Sequence, residues 1–79
     1  MWSKGIVIVV RENGKKVSIK YWCKHFDEPS VYGINEGRIS KLMLEQNGVC
    51  VYNFDRGIDI EPKTDEAKDA LETLMDKYN

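Results

Sequence analysis

Apolar and polar positions follow two different periods along this chain. Gly5-Ile6-Val7-Ile8-Val9-Val10 is a run of mostly β-branched residues, too short for an independent helix. Lys16-Val17-Ser18-Ile19-Lys20-Tyr21-Trp22 alternates in steps of two, the spacing of a half-buried strand. Between them, Asn13-Gly14 tolerates the positive φ angles of a type I′ turn, whose twist matches that of paired strands. A two-residue turn at that point predicts Val10 opposite Val17, Ile8 opposite Ile19 and Ile6 opposite Tyr21 on one face. Arg11, Lys16, Ser18 and Lys20 then share the other face with Val7 and Val9, and Trp22 falls on this more polar side.

A second pair follows the breaker-rich stretch Phe26–Gly37. Arg38–Leu44 and Val49–Phe54 read as strands joined by Asn47-Gly48. That turn sets Leu44 beside Val51 and Leu42 beside Asn53, with Ile39, Met43, Tyr52 and Phe54 on the opposite face. From Pro62 the period changes to three and four. Thr64 suits an N-cap, Asp65 and Glu66 place negative charge where a helix dipole favours it, and Ala67, Ala70, Leu71, Leu74, Met75 and Tyr78 form one apolar stripe. The stripe is expected to cover Ile6, Ile8, Val10, Ile19 and Tyr21. The predicted architecture is α+β: one ββββα domain over residues 1–79, a four-stranded antiparallel sheet of two β-hairpins with a single C-terminal helix packed on one face.

Size and charge narrow the functional classes. A chain of 79 residues buries only about 60% of its unfolded surface, which leaves little core for a deep pocket and favours surface grooves or subunit interfaces. Lys and Arg nearly balance Asp and Glu, so the basic excess of a dedicated nucleic-acid module is missing overall, although the acids concentrate in the last third. Cys23 and Cys50 are far apart and read as free strand thiols. With one histidine they offer no zinc spacing, and no metal or cofactor is expected. No secretory leader or membrane-length apolar run is apparent, so the expected compartment is the cytoplasm.

Candidate chemistry is sparse. His25 has no obvious nucleophile or orienting carboxylate, and no catalytic set assembles from the sequence, so a non-enzyme is expected. Asp55-Arg56-Gly57 reads as a tight loop held by a carboxylate–guanidinium pair, or as a loop that offers Arg56 to an anion. Gly33-Ile34-Asn35-Glu36-Gly37 lacks the strand–loop–helix context and the Gly-Lys-Ser/Thr of a phosphate loop. Arg38 and Lys41 beside it, with Arg56 across the hairpin, form a candidate cationic patch. Tyr52 and Phe54 share its face, and Trp22, Tyr52 and Phe54 offer rings for stacking.

Trp2 and Gly5, the run Ser30-Val31-Tyr32-Gly33-Ile34-Asn35-Glu36-Gly37-Arg38-Ile39-Ser40-Lys41-Leu42, and Phe54-Asp55-Arg56-Gly57-Ile58-Asp59 resemble a family of small uncharacterised proteins of phages, prophages and Gram-positive bacteria. This chain has Ile58 where that pattern carries a tryptophan. The resemblance implies a phage or bacterial-host context and no established activity. The leading expectation is therefore a non-enzymatic phage accessory or anti-defence protein that sequesters a small anionic, nucleotide-like ligand or inhibits a host protein. Because both sheet faces carry apolar residues, a homo-oligomer is expected as well. The alternative is a nucleic-acid-binding module that uses an aromatic and basic sheet face. The acidic outer side of the helix argues against a membrane partner.

Overall fold

The computed structural model describes residues 1–79, Met1 to Asn79. Five strands follow one another as an antiparallel meander in the order β1 to β5: β1 (Trp2–Val10), β2 (Lys16–His25), β3 (Ile39–Gln46), β4 (Val49–Asp55) and β5 (Ile58–Ile60). Helix α1 (Asp65–Tyr78) closes the chain and packs across β1, β2 and β3. The sheet thus has five strands, not the expected four. The extra strand, β5, is only three residues long and lies just past the Asp55-Arg56-Gly57 reversal, where sequence patterning shows only a loop.

Both hairpins form, and in both the register is one residue away from the expected one. In the first, Val9 pairs with Val17, Val7 with Ile19 and Gly5 with Tyr21. The turn there is not type I′. Gly14 alone takes a positive φ (82°), its N–H donates to the Arg11 carbonyl, and the Arg11 N–H donates to the Lys15 carbonyl. A type I turn followed by a left-handed glycine holds three residues in the loop, not two, and the extra residue shifts the pairing. Because side chains alternate, that slip exchanges the faces of β1. Val7 and Val9 face the helix, and Ile6, Ile8 and Val10, expected in the core, are exposed.

The second hairpin keeps its two-residue turn, with Asn47 at φ 53° and Gly48 at φ 78°. Here the slip comes from a bulge: Leu44 pairs with Tyr52 and Glu45 with Cys50, which leaves Val51 as the extra residue. The next pairings are Met43 with Asn53 and Leu42 with Phe54. Leu42, Leu44, Tyr52 and Phe54 therefore share the helix-covered face, where Val51 is also buried, while Met43 goes to the other side.

The core is this one face. Ile19, Tyr21, Cys23, Leu42, Leu44, Tyr52 and Phe54 pack with Ala67, Ala70 and Leu74 of α1. The helix starts as its sequence predicts: the Thr64 hydroxyl accepts from the Ala67 N–H at 3.0 Å and donates to Gln46 Oε1 at 2.7 Å, which caps the helix and ties it to β3. Its C-terminal end is held by an amide clasp. Asn79 donates through Nδ2 to the Ile34 carbonyl at 3.1 Å and accepts through Oδ1 from the Ile39 N–H at 3.0 Å. The loop closes tightly around the clasp. A Cβ on Gly33 would lie 2.1 Å from the Gly37 carbonyl oxygen, and one on Gly37 would lie 2.3 Å from the Asn79 amide. Those two glycines are there for close approach.

Candidate functional site

Alternation leaves the second face of the sheet uncovered, and what it carries differs from the core. The register lays the side chains out in rows across the strands. Lys4, Trp22, Met43 and Asn53 form one row, and Trp2, Lys24, Lys41 and Asp55 form the next. A third holds Ile6, Lys20, Glu45 and Cys50. Trp2 and Trp22 are diagonal neighbours on β1 and β2 and line one shallow depression together with Ser3 and Lys4. Trp2 is 60% exposed. Against that depression lies a second, lined by both tryptophans, Lys41, Met43, Asn53 and Asp55.

Lys24 and Lys41 stand directly opposite each other on adjacent strands. Like charges in that position repel and lower sheet stability, so neither folding nor packing favours the pair. Two contacts relieve it. The Lys41 ammonium lies 3.6 Å from an Asp55 carboxylate oxygen, and the Lys24 ammonium sits 5.9 Å from the Trp2 ring centre and 5.6 Å from that of Phe26. Beyond the sheet end, Lys24, Phe26, Glu28, Tyr32, Lys41 and Arg56 border an open groove of about 450 Å³. Acids are present here too, Glu45 and Asp55 on the open face and Glu28 at the groove, but more of them lie on the helix, where Asp65, Asp69, Glu72 and Asp76 are exposed. The near-zero net charge thus conceals an uneven distribution: the open face has a modest excess of lysines over Glu45 and Asp55, and the helix a modest excess of acids over Lys68 and Lys77.

The residues singled out from the sequence divide accordingly. Trp22, Lys41 and Arg56 belong to this surface. Tyr52 does not, and Phe54 only borders the second depression: at 2% and 7% exposure both are core residues, put there by the Val51 bulge, with no ring face open for stacking. Arg38 also stands apart, at the clasp, where its Nε donates to the Asn79 main-chain oxygen at 3.4 Å. Arg38, Lys41 and Arg56 therefore form no single patch. The expected Asp55–Arg56 side-chain pair gives way to Asp55–Lys41. Arg56 serves the β4–β5 reversal through its backbone, at φ 60° with its N–H donating to the Ser40 carbonyl at 3.2 Å, while its side chain stays exposed. Sequence reading missed Trp2, Lys4, Lys20 and Lys24 as members of the surface. The signal for them was the polar half of the β2 alternation, extended onto β1 once the register is known.

His25 lies on the helix-covered side at the end of β2. Its Nε2 is 2.9 Å from the Ser3 hydroxyl, and its ring stacks on Tyr78 at 4.6 Å. The Tyr78 hydroxyl lies 3.0 Å from that of Tyr21. Burial, helped by the N-terminus and Arg38, holds the His25 pKa below its ordinary value of 6.5. The hydrogen bond to Tyr78 is the main reason the Tyr21 phenol is pushed up to about 12. Burial raises the Cys23 thiol to about 11. The Ser3–His25 contact has the spacing of a nucleophile–base pair, but no carboxylate hydrogen-bonds the ring to orient it, and Tyr78 covers one ring face. The geometry is that of a polar pin between β1, β2 and α1. No group of three or more His, Cys, Asp or Glu side chains converges on a metal-sized site, and no helix is long and apolar enough to cross a membrane.

Comparison with known proteins assigns the whole chain, residues 1–79, to the family described as a domain of unknown function, DUF7678. The protein belongs to that family. No curated protein and no solved structure matches the chain.

Proposed function

We propose that this protein is a non-enzymatic binding module whose open sheet face takes single-stranded nucleic acid. The observation that carries the reading is the cross-strand Lys24–Lys41 pair flanked by Trp2 and Trp22 on an uncovered sheet face. A strand of nucleic acid supplies what each part of that surface lacks: phosphates between the opposed ammonium groups and base faces for the exposed Trp2 indole and the half-buried Trp22 beside it. Helix acids on the far side repel the same polyanion and so set which side of the molecule meets it.

Extended ligands fit this surface better than compact ones. The depressions are shallow, the lysines are spread over successive rows, and Arg38 is engaged at the Asn79 clasp and is not among the residues that border the groove of Lys41 and Arg56. A phage or prophage accessory role in the bacterial cytoplasm remains part of the proposal. It is supported by the likeness of Trp2, Gly5 and the Ser30–Leu42 and Phe54–Asp59 runs to phage-associated proteins and by two free cysteines.

Both tryptophans of the chain lie on the proposed surface, so their fluorescence tests it directly. Titration with oligothymidylate or oligouridylate of about 12 nucleotides at low salt is expected to quench it. The apparent affinity should fall with salt at a log–log slope near −2, as expected for about three neutralised phosphates on a single strand. Lys24→Glu with Lys41→Glu should abolish the quenching. Unchanged fluorescence at low salt, or binding that ignores both charge reversals, contradicts the proposal.

A further inference from the structure

The two edges of the sheet are built differently. β5 is three residues long and carries Asp59, beside Asp55 and Glu61, the short and charged form that discourages strand addition. β1 is nine residues long, is mostly β-branched, has no proline and bears one charge, Lys4. Its pairing with β2 fixes which backbone groups remain free. Met1 accepts from the His25 N–H, and the Arg11 N–H donates to Lys15, so the hydrogen-bonded positions of the ladder are the odd-numbered residues. Trp2, Lys4, Ile6, Ile8 and Val10 therefore direct their N–H and C=O groups outward. Their side chains are the same ones that project onto the open face, where Ile6, Ile8 and Val10 are 55%, 52% and 62% exposed.

We propose that β1 pairs antiparallel with β1 of a second copy of this chain, about a twofold axis at Ile6. This register sets Ile6 opposite its own equivalent, Lys4 opposite Ile8, and Trp2 opposite Val10. It uses every outward-facing residue of the strand and forms about ten N–H···O bonds. Charge selects this arrangement among those open to a second copy. It keeps the two Lys4 side chains apart, each along an isoleucine of the partner. Stacking two open faces would instead press their lysines together. Pairing β1 with a partner's β5 leaves most of β1 bare and does not close, so it builds filaments. The dimer joins two five-stranded sheets into one with both basic, aromatic surfaces on the same side. It does not depend on what those surfaces bind.

Amide hydrogen exchange on the unaltered protein reads the edge residue by residue. Ile6 and Ile8 amides are expected to be protected to a degree close to Val7 and Val9 at about 1 mM chain, and to lose that protection on dilution to about 10 μM, while Val7 and Val9 keep theirs. Sedimentation should show twice the monomer mass at the higher concentration. Ile6→Pro removes one outward N–H and no β1–β2 bond, and should give a monomer with an unchanged circular dichroism spectrum. Ile6→Lys, which opposes two ammonium groups at the axis, should do the same. Freely exchanging Ile6 and Ile8 amides at about 1 mM, or a dimer that survives Ile6→Lys, overturns the proposal.

Discussion

The two faces of this sheet are made by the same strands and have opposite tasks. On the helix side, Ile19, Leu42, Leu44, Tyr52 and Phe54 are sealed beneath Ala67, Ala70 and Leu74, with no buried charge. On the other side, one residue away along each strand, stand Trp2, Trp22, Lys20, Lys24 and Lys41. The difference separates stability from recognition. A chain this small has one core, so residues on the uncovered side are free to carry like-charge pairs and exposed rings that no core could hold.

Substitutions sharpen that division. The largest effect is expected from Phe54→Ala on the helix side, a loss of about 3–5 kcal/mol of stability measured by urea denaturation. If Phe54 lay on a binding surface instead, stability would hardly change. Gly33→Ala is next, at about 1–3 kcal/mol, because the new methyl meets the fixed Gly37 carbonyl oxygen in a loop that cannot open without releasing Asn79. Asn79→Ala should cost about 1–2 kcal/mol, since it leaves the Ile39 N–H and Ile34 carbonyl without their partner.

The core face also carries the pH dependence. The folded state holds His25 below its ordinary pKa of 6.5, so below that value the unfolded chain takes up the proton first. Stability is full above about pH 6.5 and falls as the pH drops toward the lower folded value. His25→Asn should flatten this part of the melting-temperature profile. The smallest stability change is expected on the open face: Trp2→Ala and Lys24→Ala should each stay within about 0.5 kcal/mol of the parent while weakening oligonucleotide binding.

Much of this was legible in the sequence, and most of the errors are errors of register. Asn13-Gly14 and Asn47-Gly48 correctly announced two hairpins, and Thr64 with its stripe announced α1. Register was lost because β1 is apolar on both sides. Ile6, Ile8 and Val10 fit a core as well as Val7 and Val9, so nothing in the pattern opposed a one-residue slip. Asn-Gly also fits either a two-residue I′ turn or a type I turn with a glycine bulge, and only pairing decides between them. The Val51 bulge has no sequence mark, and it alone moved Tyr52 and Phe54 from the candidate surface into the core. β5 was missed because three residues after a reversal carry no period. Within the Ser30–Leu42 run, Gly33–Gly37 forms the loop that closes around Asn79, and Ile39–Leu42 belongs to β3.

The open face is the proposed binding side of the molecule. An NMR titration of the labelled full chain with oligothymidylate reads both faces at once. It should move the two indole N–H signals and the amides of Trp22, Lys24, Lys41 and Met43, and leave those of Ala67, Ala70 and Leu74 in place. Stationary indole signals with movement along α1 would contradict it.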